Sequence, residues 1–324
     1  MDLRDVVENH RNKFIYGAGR NARIFSDYCL YKAIMYECFL VSDYAEVKEK
    51  HINRKGVKHL SEIQSLAGSV VIVAVGEELW DEIRVELEAR KEHGSFECYF
   101  LTETDLLFIN RELHPIECSV FLEGASPGGH LMGCDRGLSL SRYYINSFLK
   151  QGCRDLHAQK TYEVGEDRYG SEYFPTAVHE VLNYCNGVDL TRKETLPCAE
   201  FDVFICTQVF NFIYDVKSAI EGSFYVLKED GVLLATVAGN ISQISRSDMK
   251  NYGDYWRFTY LGIQRLMTDV FGENNVSVIP YGNAMATTAY IQGMCYEDLP
   301  HPELLDVTDP DYALVIGVIG RKHG

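Results

Sequence analysis

The chain has 324 residues, 46% of them apolar, and a formal net charge of −16. That charge argues against nucleic acid or an anionic membrane surface as a partner, since both need basic patches. The length suggests two domains, and no run approaches the roughly 20 apolar residues of a membrane-spanning helix.

The start, MDLRDVVENHRNK, is charged and carries no apolar signal core. A soluble, cytoplasmic protein is expected. Ten cysteines occur without any C-x-x-C pair, which suits reduced core thiols and offers no paired metal-ligand spacing. No metal is expected.

Asp2 to Asn12 suggests a short amphipathic helix. KFIYGAGRNARIF (Lys13 to Phe25) then reads strand, glycine turn, helix. Gly17-x-Gly19-x-x-Ala22 fits the dinucleotide fingerprint, and CFLVSDY ends on Asp43, where a ribose-binding acid belongs. Gly17, Gly19 and Asp43 therefore form a candidate nucleotide site. The alternative is that these glycines only allow tight strand–helix packing.

GVKHLSEIQSL (Gly56 to Leu66) is expected to be a helix capped by Ser61. SVVIVAV (Ser69 to Val75) has the β-branched run of a strand buried on both faces. Glu77 to Gly94 suggests an amphipathic helix with Leu79, Trp80, Ile83 and Leu87 on one face, stopped by Gly94. Phe96 to Leu101 is one more strand. This alternation predicts a small Rossmann-like domain over 1–109. Glycines and prolines break any period from Asn110 to Gly137, including Gly124 and Gly133, so 110–137 is expected to be a linker carrying His114 and His130.

The second domain, 138–324, opens with a helix over Leu140 to Lys150, packed through Tyr143, Tyr144 and Phe148. Thr161 to Val164 is a strand, Ala177 to Tyr184 a second, and Asn186 to Thr191 a third. Phe201 to Gln208, Gly231 to Gly239, Asn275 to Pro280 and Ala313 to Gly320 complete the predicted sheet. Helices are expected over Asp215 to Leu227 and Tyr260 to Phe271. The fold class is α/β, with two doubly wound sheets.

The stretch KTYEVGEDRYG (Lys160 to Gly170) holds the strongest chemical signal. A strand that stops at Glu163-x-Gly165 lets a ligand approach the backbone, since Gly165 has no side chain to block it. The stretch resembles the first motif of class I S-adenosylmethionine-dependent methyltransferases, an acid followed by x-Gly-x-Gly-x-Gly. Glu163 and Gly165 match, while Asp167 and Tyr169 stand where glycines are expected. Together with DRGLSLSRYYINSFL, TQVFNFIYDV and GDYWRFT, it resembles a bacterial methyltransferase family associated with glycan and surface-polysaccharide synthesis.

That resemblance implies S-adenosylmethionine as cofactor, a small-molecule or glycan acceptor, and a methyltransferase sheet closed by an added strand pair. It implies cofactor contacts from Glu163, Gly165, Asp167, Asp189, Thr207 and Gln208. Glu163 would face the methionine ammonium and Asp189 the adenine amine. His179 and Asp254 are candidate general bases for a sugar hydroxyl. Tyr255, Trp256 and Arg257 are candidate acceptor contacts, with Tyr281-Gly282-Asn283 closing the same pocket. The bland alternatives are a half-buried imidazole for His179, a turn cap for Asp189, and a structural belt for Asp254 to Arg257.

Two departures stand out. Only 35 residues separate Gly165 from Phe201, whereas two βαβ units need about 30 each, so a crossover helix must be missing or reduced. The second strand ends Leu182-Asn183-Tyr184, with no ribose-binding carboxylate. A degenerate methyltransferase fold, binding a nucleotide sugar or acting as a scaffold, is the second reading. An NAD-dependent oxidoreductase is a third, though no Tyr-x-x-x-Lys pair supports it. A homo-oligomer is left open.

Overall fold

The computed structural model describes residues 3–91, 95–115, 125–129 and 131–323. Asp2, Gly94, Gly124 and His130, which the sequence assigned to helix ends and linker, lie outside them. The chain divides into two compact units, Met1–Ser119 with Asp135–Gly137, and Val120–Cys134 with Leu138–Gly324.

The first unit runs α1 (Leu3–Asn9), β1 (Lys13–Tyr16), α2 (Arg20–Tyr31), β2 (Phe39–Val41), β3 (His51–Ile52), β4 (Lys55–His59), β5 (Val70–Val73), α3 (Trp80–Arg90), β6 (Glu97–Phe100) and α4 (Glu103–Leu113). Its sheet has the order β3-β4-β2-β1-β5-β6. Every pairing is parallel except β3 with β4. Ile15, Phe39, Val70 and Ile72 pack on one face against Val6, Phe25 and Ile109, while Phe14, Leu40, Val71 and Val73 pack on the other against Ile83 and Leu87. Apolar residues on both faces explain the unbroken runs.

Three expectations fail in this unit. Gly56 to His59 is strand: Val57 pairs with Phe39 and His59 with Val41. Pairing with β2 overrides a weak helical period that contains Gly56 and β-branched Val57. Leu79 stays 43% exposed, because the helix proper starts at Trp80. The linker cannot begin at Asn110, because α4 continues to Leu113 from a Thr102–Asp105 capping box.

The second unit runs α5 (Leu140–Gly152), β7 (Lys160–Val164), α6 (Tyr169–Tyr173), β8 (Val178–Leu182), β9 (Phe201–Thr207), α7 (Val216–Val226), β10 (Leu227–Ala238), α8 (Arg246–Asn251), α9 (Tyr260–Phe271), β11 (Val276–Tyr281), α10 (Ala284–Ile291) and β12 (Val315–Arg321). The order is β11-β12-β10-β9-β7-β8. β12 runs antiparallel between β10 and β11, which is the expected added pair. The other pairings are parallel.

α7 and α9 bury Ala219, Ile220, Ile263 and Met267 against Phe204, Leu233 and Ile316. α5 packs close to β12: a Cβ on Gly317 would come within 2.3 Å of the Phe148 ring. The predicted third strand is absent. Asn186 to Thr191 is a turn, with Gly187 at φ +80° and Thr191 bonded back to Asp189. The short connection noted in the sequence thus costs the sheet a strand, and only the five-residue α6 links β7 to β8.

Candidate functional site

β7, β8 and β9 run parallel and end side by side. Beyond their carboxyl ends lies a cleft of about 670 Å³. Val164 and Gly165 reach it from β7, Leu182 to Cys185 from β8, and Gln208 and Val209 from β9. The segment Val188 to Thr191, the segment Phe212 to Asp215, and Asp248, Asn251, Tyr252 and Tyr255 complete the wall.

Gly165 is the hinge of this geometry. Its φ is +88°, a left-handed value that a side chain resists, and an added Cβ would meet no atom within 4 Å. Its amide donates to the Leu182 carbonyl, which fixes the turn to β8. The residue therefore sits on open space with its backbone held.

Glu163 has a different task from the one expected. It is only 5% exposed, and its Oε2 accepts from the amides of Arg168, Tyr169 and Gly170 at 3.2, 2.9 and 2.8 Å. These are free amides at the start of α6, which a carboxylate satisfies well. Burial nevertheless dominates and raises its pKa, against the pull of the three amides. Glu163 holds the turn that carries Gly165 and does not line the cleft.

Asp167 and His179 pair with the protein rather than the cleft. Asp167 accepts from the Ser171 amide at 3.1 Å and from its hydroxyl. His179 Nδ1 lies 2.7 Å from Thr161 Oγ1 and 3.9 Å from Asp167 Oδ1. Neither residue is part of the cleft wall. Asp189 is: its Oδ1 accepts from the Thr191 amide and hydroxyl, capping a turn, while it also faces the cleft. Gln208, at φ +56°, lines the cleft and bonds through its amide to the Thr236 carbonyl. Thr207 ends β9 without reaching the wall.

The segment between β10 and α9 is a strap. It leaves the sheet at Gly239 and returns at Phe258, which bridges back to Gly239. Asp254 locks it. Both carboxylate oxygens meet Arg257, at 2.6 and 2.8 Å, and Oδ2 also accepts from the Ser245 amide at 2.9 Å. Burial alone would raise the Asp254 pKa, but the Arg257 guanidinium and the Ser245 amide outweigh it and hold the carboxyl below its ordinary range. Arg257 spends its remaining donors on the carbonyls of Ser242, Gln243 and Trp256. So Asp254 is committed to Arg257 and lies off the cleft wall, and Arg257 has no donor left for a phosphate.

Trp256 donates to the carbonyls of Ile213 and Tyr214 at 3.1 and 3.2 Å, and Tyr214 stacks on it at 6.0 Å. GDYWRFT thus ties the strap to the loop after β9, and of its candidate residues Tyr255 alone lines the cleft. Gly282 and Asn283 do not reach the wall; Asn283 caps α10 and donates to the carbonyls of Leu304 and Val307.

Several wall residues were not anticipated: Asn183, Tyr184, Tyr214, Asp215, Asp248, Asn251 and Tyr252. The spacing Ser245-x-x-Asp248 was the available signal, since it marks a helix start; Ser245 Oγ donates to Asp248 Oδ2 at 2.6 Å. Among the described residues, the wall contains Asp189, Asp215 and Asp248, four tyrosines, and no Lys, Arg or His. No group of three or more His, Cys, Asp or Glu among them could hold a metal ion, and no helix among them is long and apolar enough to cross a membrane.

In the first unit, the candidate nucleotide residues are spread over packing contacts. Gly17 has φ +115°, and an added Cβ would lie 2.9 Å from the Ala74 carbonyl oxygen and 3.0 Å from Val75. Gly19 precedes α2 as its N-cap, with nothing near. Asp43 accepts from the Ser61 amide at 2.8 Å, and this contact with the Ser61 backbone and hydroxyl lowers its pKa. At the ends of β1 and β2, Tyr16, Ser42 and Glu86 bond to one another at 2.5 to 2.7 Å.

No family model matches the chain, and no curated protein matches it. Solved structures resemble it in part. A SAM-dependent methyltransferase from Thermotoga maritima is 16% identical, with 56% of this chain and 91% of that one covered, at a TM-score of 0.35. One from Archaeoglobus fulgidus is 8% identical over 56% and 94%, at 0.37. Phosphoethanolamine N-methyltransferase 2 of Haemonchus contortus, complexed with S-adenosyl-L-methionine, is 10% identical over 99% and 97%, also at 0.37. Scores of this size say nothing further about the chain.

Proposed function

We propose that the second unit is an S-adenosylmethionine-dependent methyltransferase acting on a small molecule, with a sugar or glycan precursor as the acceptor expected from its motifs. One observation carries the proposal: an open cleft beside a glycine whose bare Cα faces space, walled, among the described residues, by carboxylates and aromatic rings without a basic side chain.

The volume lies within the range of about 300–1,000 Å³ common for small-molecule sites. The wall's charge suits a cation. A sulfonium gains from carboxylates nearby and from tyrosine faces. A pyrophosphate finds no Lys or Arg to pair with. That disfavours the nucleotide-sugar-binding alternative for this cleft.

The cofactor would supply an activated methyl group. Gly165 leaves the backbone approachable. Glu163 keeps the turn in shape from below. Asp189 Oδ2 has capacity for an amine donor, and the Asn183 side-chain NH₂ for a hydroxyl oxygen, its Oδ1 being used by the Cys185 amide. That amide stands where the missing ribose carboxylate was noted. The strap, held by Asp254 and Arg257, brings Tyr252 and Tyr255 to the cleft wall and would align the acceptor for the in-line displacement.

Calorimetric titration tests this. S-adenosylmethionine should bind at one site, about tenfold tighter than S-adenosylhomocysteine, which lacks the sulfonium charge. Absence of binding by both at millimolar concentration would remove the proposal.

A further inference from the structure

We infer, on the basis of the cofactor reading above and in place of the sugar hydroxyl that the motifs suggest, that the methyl acceptor is an amine carrying neither phosphate nor carboxylate. The two groups expected to activate a hydroxyl, His179 and Asp254, do not serve the cleft. His179 lies outside the cleft, and Asp254 is sealed by Arg257 and Ser245. Of the carboxylates that do face the cleft, Asp215 has both oxygens bonded to Ser218, which lowers its pKa and weakens it as a base. A hydroxyl that attacks the methyl group while keeping its proton gives an oxonium. An ammonium is far more acidic than an alcohol, so the free Oδ1 of Asp248 can pass its proton to water and leave a neutral, nucleophilic amine.

The balance is simple. The nitrogen lone pair forms the new N–CH₃ bond, the C–S bond breaks, and its electron pair goes to sulfur. The positive charge moves from sulfur to nitrogen, giving an N-methylammonium and a neutral thioether. The proton is shed to water after release. Charge in the cleft is unchanged across the step, so acidic walls that suit the cofactor also suit the product.

The strap side of the cleft is built for that product. Tyr214, Tyr252 and Tyr255 are 72%, 51% and 52% exposed, so their rings are free to meet a ligand. Tyr214 and Tyr255 stand edge to face, 5.5 Å apart. Ammonium groups bind such faces. Asp248, on the same wall, keeps Oδ1 unbonded while Oδ2 takes the Ser245 hydroxyl. Among the described residues, no cation on the wall would receive an acidic substituent.

The test uses the full chain saturated with S-adenosylhomocysteine and three probes on one skeleton: cyclohexylamine, cyclohexanol and cyclohexyl phosphate. Binding is read by saturation-transfer NMR and calorimetry. The amine should bind about tenfold tighter than the alcohol, and the phosphate most weakly. Asp248→Asn and Tyr252→Leu should each erase most of the amine's advantage, with a smaller change in S-adenosylhomocysteine affinity. If S-adenosylhomocysteine binds but the amine shows no advantage, or the phosphate binds as well as the alcohol, the inference falls alone. If neither S-adenosylmethionine nor S-adenosylhomocysteine binds, the cofactor reading falls and takes it along.

Discussion

Each unit has a glycine with positive φ just after its leading parallel strand, Gly17 after β1 and Gly165 after β7. In sequence the two look alike, and Gly17 has the better fingerprint around it. In space they differ. A Cβ on Gly17 would strike the Ala74 carbonyl, while one on Gly165 would meet nothing within 4 Å. The first glycine is spent on protein packing; the second leaves room for something that is not protein. A glycine motif therefore reports a tight turn, and only the space beside it separates a binding site from a packing device.

The largest effects should come from breaking that contrast. Gly17→Ala adds backbone strain to a steric clash and should cost about 3 kcal/mol of stability in denaturant unfolding. Gly165→Ala carries the strain without the clash and should cost about 1–2 kcal/mol. Yet Gly165→Ala alone should weaken S-adenosylmethionine binding, and calorimetry on both variants checks the pairing. Equal stability losses would show that the two turns are packed alike.

Next in size is the strap. Arg257→Ala leaves Asp254 buried without its partner and should cost about 3 kcal/mol. Hydrogen exchange should quicken over 242–257 while α7 and β9 stay protected. A smaller effect is expected from Glu163→Gln, about 1 kcal/mol, because one amide oxygen replaces the carboxylate over three N–H donors. Cofactor affinity should change only a fewfold, since Glu163 serves the turn. A loss of two orders of magnitude would instead place its charge against the ligand.

The two carboxylates also differ in sign with pH. Asp254 has a lowered pKa in the fold, so its contribution is complete above the ordinary aspartate range and is lost as pH falls through the lower folded value. Glu163 has a raised pKa, so its ionisation destabilises the fold as pH rises from the ordinary glutamate range through the raised value. Urea midpoints of Asp254→Asn and Glu163→Gln from pH 3 to 7 should therefore diverge from the parent in opposite directions. The smallest effect belongs to His179→Asn. It removes a Thr161 contact outside the cleft and should leave cofactor affinity unchanged within about twofold; a tenfold loss would return His179 to the site.

Much of this was legible. β9 and β12 are largely apolar runs long enough to be seen alone, and α9 shows its period through Ile263, Met267 and Phe271. What stayed hidden depended on pairing. β4 forms because β2 lies beside it, and Asn186 to Thr191 turns away because Asp189 bonds to Thr191 more readily than it extends. The acidic and aromatic wall was hidden for a related reason: Tyr184, Tyr214 and the pair formed by Asp248 of α8 and its C-cap Tyr252 come from three separate stretches, and only the sheet brings them to one cleft. The GDYWRFT motif was visible, but its Asp254–Arg257 pair closes on the protein itself.

A structure of the full chain soaked with S-adenosylmethionine tests the central claim most directly. The adenosyl group should occupy the cleft beside Gly165, with its sulfonium toward Tyr252 and Tyr255 and its amine near Asp189. Density for the cofactor elsewhere, or an empty cleft at saturating concentration, would contradict it.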